Sequence, residues 1–463
     1  MNTDSVMFLS CFLPLTVLLH RIIPSKKLRD ILLLGASLLF YSFGGVAGLA
    51  IMLVSAIVNF LFAKWLGRGY GGKILPAVAI AANLALLIAY KYLNFLLQAV
   101  LGLREIELSF VAPLGISFFT FKSISCLVDV YRKKTNVSNF WQFLLYISFF
   151  PQVMAGPITC FDDFCRTLEQ PDADFDTFAR GIRRFVVGLS KKLLLAAALG
   201  AATDQVFSVG DGELSAALAW VGAVSYLLQI YFDFSGYSDM AIGLGMAFGL
   251  ATSENFCYPY IAPTVGDFWR RWHISLSGWY RDYVYIPLGG NRKGAARTAM
   301  HKVVVFTLCG IWHGANWTFL IWGLWHGLFA TLESLLPVKK WTRCAPGRIA
   351  GHIYTLLVIM LGFVMFRAET VGQGLRIIAE MFTGTSVTDA ASVLLHRIAT
   401  GEWIFALLTG GVLCLPVVPW CKANAKLSQL VEPVSWITCT VLFVLCLMKL
   451  ASGGFAPFIY AQF

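Results

Sequence analysis

The sequence predicts an all-α polytopic membrane protein, and three observations predict it. Its 463 residues are 58% hydrophobic and only 13% charged, about half the charged share of an ordinary soluble domain. The mean hydropathy is +0.72. Apolar runs long enough, or nearly long enough, to cross a hydrocarbon core recur along the chain, with Lys and Arg gathered in the short segments between them. No extended polar stretch leaves room for a soluble catalytic or DNA-binding domain, so 1–463 is expected to be a single integral membrane domain. The net charge of +11 then encodes orientation, and nucleic acid is not expected as a partner. The 11 cysteines form no CxxC pair and mostly sit in apolar segments, so neither a disulfide framework nor a metal site is expected.

Taken in order, residues 6–19 are apolar between Asp4 and the pair His20 and Arg21 and lack a small-residue cleavage site, which reads as an uncleaved first helix. Further spans are expected at 31–43, 46–63, 74–97, 110–128, 193–209, 216–232, 303–330, 350–366, 403–420 and 435–451, roughly eleven with the first. Basic clusters at 21–29, 64–73, 132–134, 180–192, 270–297 and 339–348 should face the cytoplasm, which leaves the amino terminus outside. Two stretches strain this topology. Residues 141–158 contain Pro151, Gly156 and Pro157 and have basic clusters on both sides, and 303–330 also has basic flanks. Both read as re-entrant segments, which are tolerated at membrane depth only where protein or a water-filled cavity covers the backbone.

No repeat of domain size occurs, which weakens an inverted-repeat transporter reading. A local repeat is present: Gly310-Ile-Trp-His-Gly314 and Gly323-Leu-Trp-His-Gly327. Of the seven histidines, His20, His301, His352 and His396 lie beside charged or polar residues near expected span ends, while His313 and His326 lie within apolar sequence. An ionisable group at that depth usually faces a cavity, and a neutral imidazole can take a proton near pH 7. The rival reading is a histidine that only hydrogen-bonds a neighbouring helix. On one regular helix, a separation of thirteen positions would put them about 220° apart, so they should not pair.

Two more clusters carry charge into apolar surroundings. Aromatic residues and three arginines crowd 268–281, and the run continues to Arg292 and Lys293. The segment suits an amphipathic helix anchored among lipid headgroups. Its functional reading has Arg270, Arg271, Arg292 and Lys293 offering charge to a phosphate-bearing donor at a cavity mouth. In Tyr231-Phe-Asp-Phe-Ser-Gly-Tyr-Ser-Asp239, the carboxylates Asp233 and Asp239 need partners, and Arg270 or Arg271 could supply them, in a supporting role that His326 would share. Gly243, Gly245 and Gly249 follow no strand and read as helix-packing glycines rather than a dinucleotide loop. The near phosphate-binding loop at 67–74 ends in Ile74 where a hydroxyl should hold magnesium, no G-x-S-x-G elbow occurs, and no His precedes an Asp by five positions.

Together, FWRRWHISLSGWYRDYVYIPLGGNR at 268–292, IWHGANWTFLIWGLWHG at 311–327, YFDFSGYSDMAIGLG at 231–245 and the terminal PFIYAQF resemble the membrane-bound O-acyltransferases. The stretch LGGNR and the second Asp of FDFSGYSD favour the alginate O-acetyltransferase branch over the D-alanyl branch. PLGISFFTFKSISCLVDVYR at 113–132 and FFPQVMAGPI at 149–158 extend the likeness, residues 367–450 match weakly, and Ala461 stands where relatives often carry an aromatic. The resemblance implies helices around a central funnel in a bacterial inner membrane, with acetyl groups taken from cytoplasmic acetyl-CoA. It implies a polysaccharide acceptor, reached directly or through an extracytoplasmic acetyltransferase or other glycan-biosynthesis partner. It implies that His313 is catalytic and that His273 is its companion. A transporter or export channel for a glycan or lipid-linked sugar is the alternative.

Overall fold

The computed structural model describes residues 3–103, 105–106, 108, 110–172, 174–210, 212–292, 294–336, 338, 342–384 and 388–453. Among them every regular element is helical. Six helices are long and apolar enough to span a membrane: α1 (Val46–Gly67), α2 (Ile74–Val100), α3 (Phe175–Phe207), α4 (Ala216–Ala247), α5 (Ala345–Arg367) and α6 (Ala425–Ala451). A pair bent by 70°, Asp389–Ile398 with Gly401–Leu413, would make a seventh. The difference from the roughly eleven stretches expected has two sources: Phe8–Ile22, Lys26–Ser42 and Ile116–Tyr131 have fewer than 18 residues, and 303–330 falls in two 19-residue helices that are long enough but less apolar.

Burial sorts the spans. In α3 and α4, 67% and 72% of the most apolar window is buried inside the protein, against 11% in α6. The side chains of α6 are therefore mostly outside the packed interior, while α3 and α4 bury most of theirs and can carry charge. The described chain divides into two compact units, 1–185 with 238–254, and 186–237 with 255–463.

In the first unit, 141–158 is not a span. Helix Phe140–Ser148 has nine residues, about 14 Å of rise against a hydrocarbon core of about 30 Å. The buried turn after it is satisfied internally: Phe149 O accepts from Gln152 N at 2.9 Å, and Phe150 N donates to Ser37 Oγ at 3.2 Å. Buried Lys122 donates to Tyr146 O and to Gln152 Oε1, each at 2.9 Å. Gly115 sits under this turn at φ +65°, where a Cβ would lie 1.9 Å from Val153 O, so only glycine fits. Gly243 and Gly181 each place a Cβ position within 2.6 Å of the other's carbonyl oxygen, the close helix contact expected of a packing glycine.

In the second unit, 303–330 resolves into two helices of 19 residues, α7 (Ala295–His313) and α8 (Trp317–Leu335). They form an antiparallel hairpin: Lys302 Nζ donates to Ala330 O at 3.2 Å, and Thr331 Oγ1 to Ala299 O at 3.3 Å. The local repeat supplies the glycines that let the backbones meet. A Cβ on Gly310 would lie 2.3 Å from Phe319 O, and one on Gly323 would lie 2.5 Å from Phe306 O. The break falls at Gly314, Ala315 and Asn316, and Asn316 Oδ1 caps α8 by accepting from Thr318 N at 3.1 Å. His313 and His326 thus occupy different helices, and the single-helix geometry expected for them does not apply.

Candidate functional site

The site is built from the two segments in which chemistry was expected, α7 with its turn and the run 264–288, both in the second unit. Thr264 begins the run by accepting at Oγ1 from Asp267 N at 3.0 Å, so the helix Val265–Arg271 starts there. From α8, the Glu333 carboxylate accepts from Val265 N at 2.6 Å and Gly266 N at 2.8 Å, placing negative charge on the helix's free N–H groups. Helix Ile274–Tyr280 follows, with His273 between the two.

His273 has φ +44° and ψ +55°, a left-handed conformation that costs a non-glycine residue about 1–3 kcal/mol. The strand of chain at Asn255 holds it there. Asn255 O accepts from Ile274 N at 3.0 Å, and Asn255 Oδ1 accepts from Ser275 N at 3.2 Å and Ser275 Oγ at 2.9 Å, and lies 3.2 Å from His273 Nδ1. The ring is 3% exposed and stands edge-to-face on Phe234, with centroids 4.6 Å apart. Among the described residues its Nε2 has no hydrogen-bond partner.

His313 is the last residue of α7 and is 5% exposed. Its ring lies between Trp322 and Phe366, each at 5.1 Å and near perpendicular, and its Nε2 is 3.8 Å from Cys309 Sγ one helical turn earlier. His313 and His273 line one cavity of about 230 Å³. Aromatic and aliphatic side chains from both segments, including Trp269, Trp272, Leu276 and Phe306, form most of its wall. Polar groups on the wall include Cys309, Tyr280 and Tyr285.

The structure brings together only part of the expected charge. Arg270 lines the cavity and pairs with Asp267 at 3.2 Å. Arg271 turns to Asp267 at 2.8 Å and to Cys257 O, and Arg292 lies exposed in the turn before α7; neither is on the cavity wall. Lys293 lies outside the described residues, as does PFIYAQF. Arg281, not singled out in the sequence, lines the cavity beside its ion-pair partner Asp282 at 2.7 Å. The glycines of LGGNR make a left-handed turn, with φ +119° at Gly289 and +53° at Gly290, and buried His301 Nδ1 meets Gly290 O at 3.1 Å.

The carboxylates correct the expectation that they pair with Arg270 or Arg271. Asp233 pairs with Lys192 of α3 at 3.0 Å, with side chains 5% and 2% exposed. Asp239 accepts from Arg184 at 2.8 Å, and Glu254 binds the same guanidinium. These partners precede the carboxylates by 41 and 55 residues and face them from α3. His326 is buried on α8 against Trp269 and Trp322, with centroids 4.9 and 5.0 Å away, and is not on the cavity wall. Trp322 therefore separates it from His313. Asn255 and Cys309 were missed. Cys309 carried a local signal, four residues before His313 on one helix face, while Asn255 carried none.

Three similarities bear on what this site does. The model of the membrane-bound O-acyltransferase family matches residues 115–366, which contain both cavity histidines. The probable alginate O-acetylase AlgI of Azotobacter vinelandii is 34% identical, and that of Pseudomonas putida 35% identical, each with 99% of both chains covered. The peptidoglycan O-acetyltransferase of Helicobacter pylori is 30% identical, over 99% of this chain and 97% of its own.

Proposed function

Because the chain belongs to the membrane-bound O-acyltransferase family, we propose that it moves acetyl groups from cytoplasmic acetyl-CoA through a bacterial inner membrane to an extracytoplasmic polysaccharide. Family membership favours acyl transfer over the export-channel alternative, and the observation that carries the reading is the pair of buried histidines on one cavity wall. In the proposed reaction His313 takes the proton of an acceptor hydroxyl as its oxygen attacks the thioester carbonyl. The new C–O bond forms, the C–S bond breaks, and the proton passes on to the departing CoA thiolate. The apolar wall limits access of water, so that transfer competes with hydrolysis. Arg270 and Arg281 supply positive charge at the wall for the donor's phosphates.

The acceptor side is proposed to be a relay. The relatives are named as a probable alginate O-acetylase and a peptidoglycan O-acetyltransferase, and the 463 residues carry no extended polar stretch with which to grip a long glycan. An extracytoplasmic acetyltransferase would present the receiving hydroxyl. The test is the purified chain in nanodiscs with labelled acetyl-CoA. Slow release of CoA, with label moved to polysaccharide only after such a partner is added, supports the reading. No turnover of acetyl-CoA in either case overturns it, and efficient acetylation of free glycan by the chain alone replaces the relay with direct transfer.

A further inference from the structure

A backbone N–H can only donate, so the Asn255 side-chain atom facing Ser275 N at 3.2 Å is an oxygen. That same oxygen accepts from Ser275 Oγ at 2.9 Å and faces His273 Nδ1 at 3.2 Å. A contact with an acceptor oxygen requires Nδ1 to carry the proton. The other ring nitrogen of the neutral imidazole is then a lone pair. His273 is 3% exposed, lines the cavity, and its Nε2 has no partner among the described residues.

We propose that Asn255 is a positioning residue that locks His273 in its Nδ1–H tautomer, so that Nε2 presents a lone pair to the cavity and receives an O–H or N–H of the bound substrate. The proposal rests on the acetyl-transfer reading and sharpens it. The two cavity histidines have different duties. His273 is an acceptor that orients a substrate donor, and it is not an oxyanion donor through Nε2, because that nitrogen carries no proton. The double grip of Asn255, through its peptide oxygen on Ile274 N and its amide oxygen on the ring, accounts for the left-handed backbone at His273: that conformation lets one residue hold both the turn and the tautomer.

The titratable and charged groups on the same wall are Arg270, Tyr280, Arg281, Tyr285, Cys309 and His313. None of them reaches Nδ1 in place of Asn255 among the described hydrogen bonds. Replacing the amide by a carboxylate keeps an acceptor at Nδ1 and adds charge, so Asn255→Asp retains the tautomer but favours the imidazolium. Replacing it by leucine removes the acceptor and frees the ring to adopt either tautomer.

The experiment is nitrogen NMR of ¹⁵N-histidine-labelled full-length protein in nanodiscs, with the His273 signal assigned by its loss in His273→Gln, run beside acetyl-CoA turnover as a function of pH. Wild type should show Nδ1 protonated and Nε2 bare, and Asn255→Leu should show a tautomer mixture with turnover lowered about tenfold or more. Asn255→Asp should keep the Nδ1–H tautomer and most of the turnover, since a carboxylate facing Nδ1 is still an acceptor. A wild-type His273 protonated at Nε2 overturns the proposal, as does an Asn255→Leu protein that keeps both the wild-type tautomer and the wild-type turnover. The correct tautomer in a wild-type protein that turns over no acetyl-CoA would instead overturn the acetyl-transfer reading and leave the Asn255 assignment standing.

Discussion

Adding one methyl group to the hairpin should cost this protein more activity than stability. In Gly323→Ala the new Cβ would stand 2.5 Å from Phe306 O, about 0.9 Å short of ordinary van der Waals contact. The atom it meets is backbone, so no side chain can swing away, and α7 and α8 must move apart by a comparable distance. Overpacking of this kind costs about 1–3 kcal/mol of stability, which leaves the protein folded. The proposed catalytic geometry is less forgiving. Trp322, next to the substituted residue, packs on His313 with centroids 5.1 Å apart, so the shift passes to the imidazole. A misplacement of about 1 Å can lower a rate by about 100-fold. Acetyl-CoA turnover in nanodiscs should therefore fall by one to two orders of magnitude, while thermal stability in detergent falls by only a few degrees. Gly411→Ala, where nothing lies within 4 Å of the added carbon, is the control and should behave as wild type. Full turnover in Gly323→Ala would refute the claim that the glycine contact sets the position of His313.

Other substitutions test other parts of the account. Lys192→Met should destabilise the protein by about 3–5 kcal/mol, because it removes the cation 3.0 Å from the buried Asp233 carboxylate, and the double variant Lys192→Met, Asp233→Leu should recover most of that loss in a detergent melting series. A Lys192→Met variant that melts like wild type would contradict the buried-pair assignment. For sidedness, a cysteine in place of Lys293, in a background without the exposed Cys11, Cys257 and Cys344, should resist an impermeant maleimide added outside intact cells. Strong labelling would overturn both the topology and the donor side.

Much of this was legible in the sequence for a simple reason: the bilayer punishes exposed polar groups, so apolar length and the placement of charge are written directly in the chain. The broken character of 141–158 followed from Pro151, Gly156 and Pro157, and His313 stood out as an ionisable group in an apolar run. The break in 303–330 was also written locally, as Gly314 followed by the capping Asn316, and its basic flanks already read as a re-entrant segment. What no local pattern reveals is pairing at a distance. Lys192 and Arg184 answer Asp233 and Asp239 from another helix, and Asn255 reaches His273 from eighteen residues earlier. A Coulomb or hydrogen-bond partner has no required spacing in sequence, so the arginines nearest in the motifs were the natural but wrong choice.

The central claim, that a buried histidine at the end of α7 acts as the base for acetyl transfer, is tested most directly by His313→Ala. The substitution is measured in purified protein by transfer of labelled acetyl from acetyl-CoA to the acceptor, with folding checked by gel filtration and melting temperature. Removal of a general base lowers rates by about 10²–10⁴, so the account predicts transfer at or near background from a protein that elutes and melts close to wild type. A folded His313→Ala protein that keeps most of the wild-type transfer rate would contradict it.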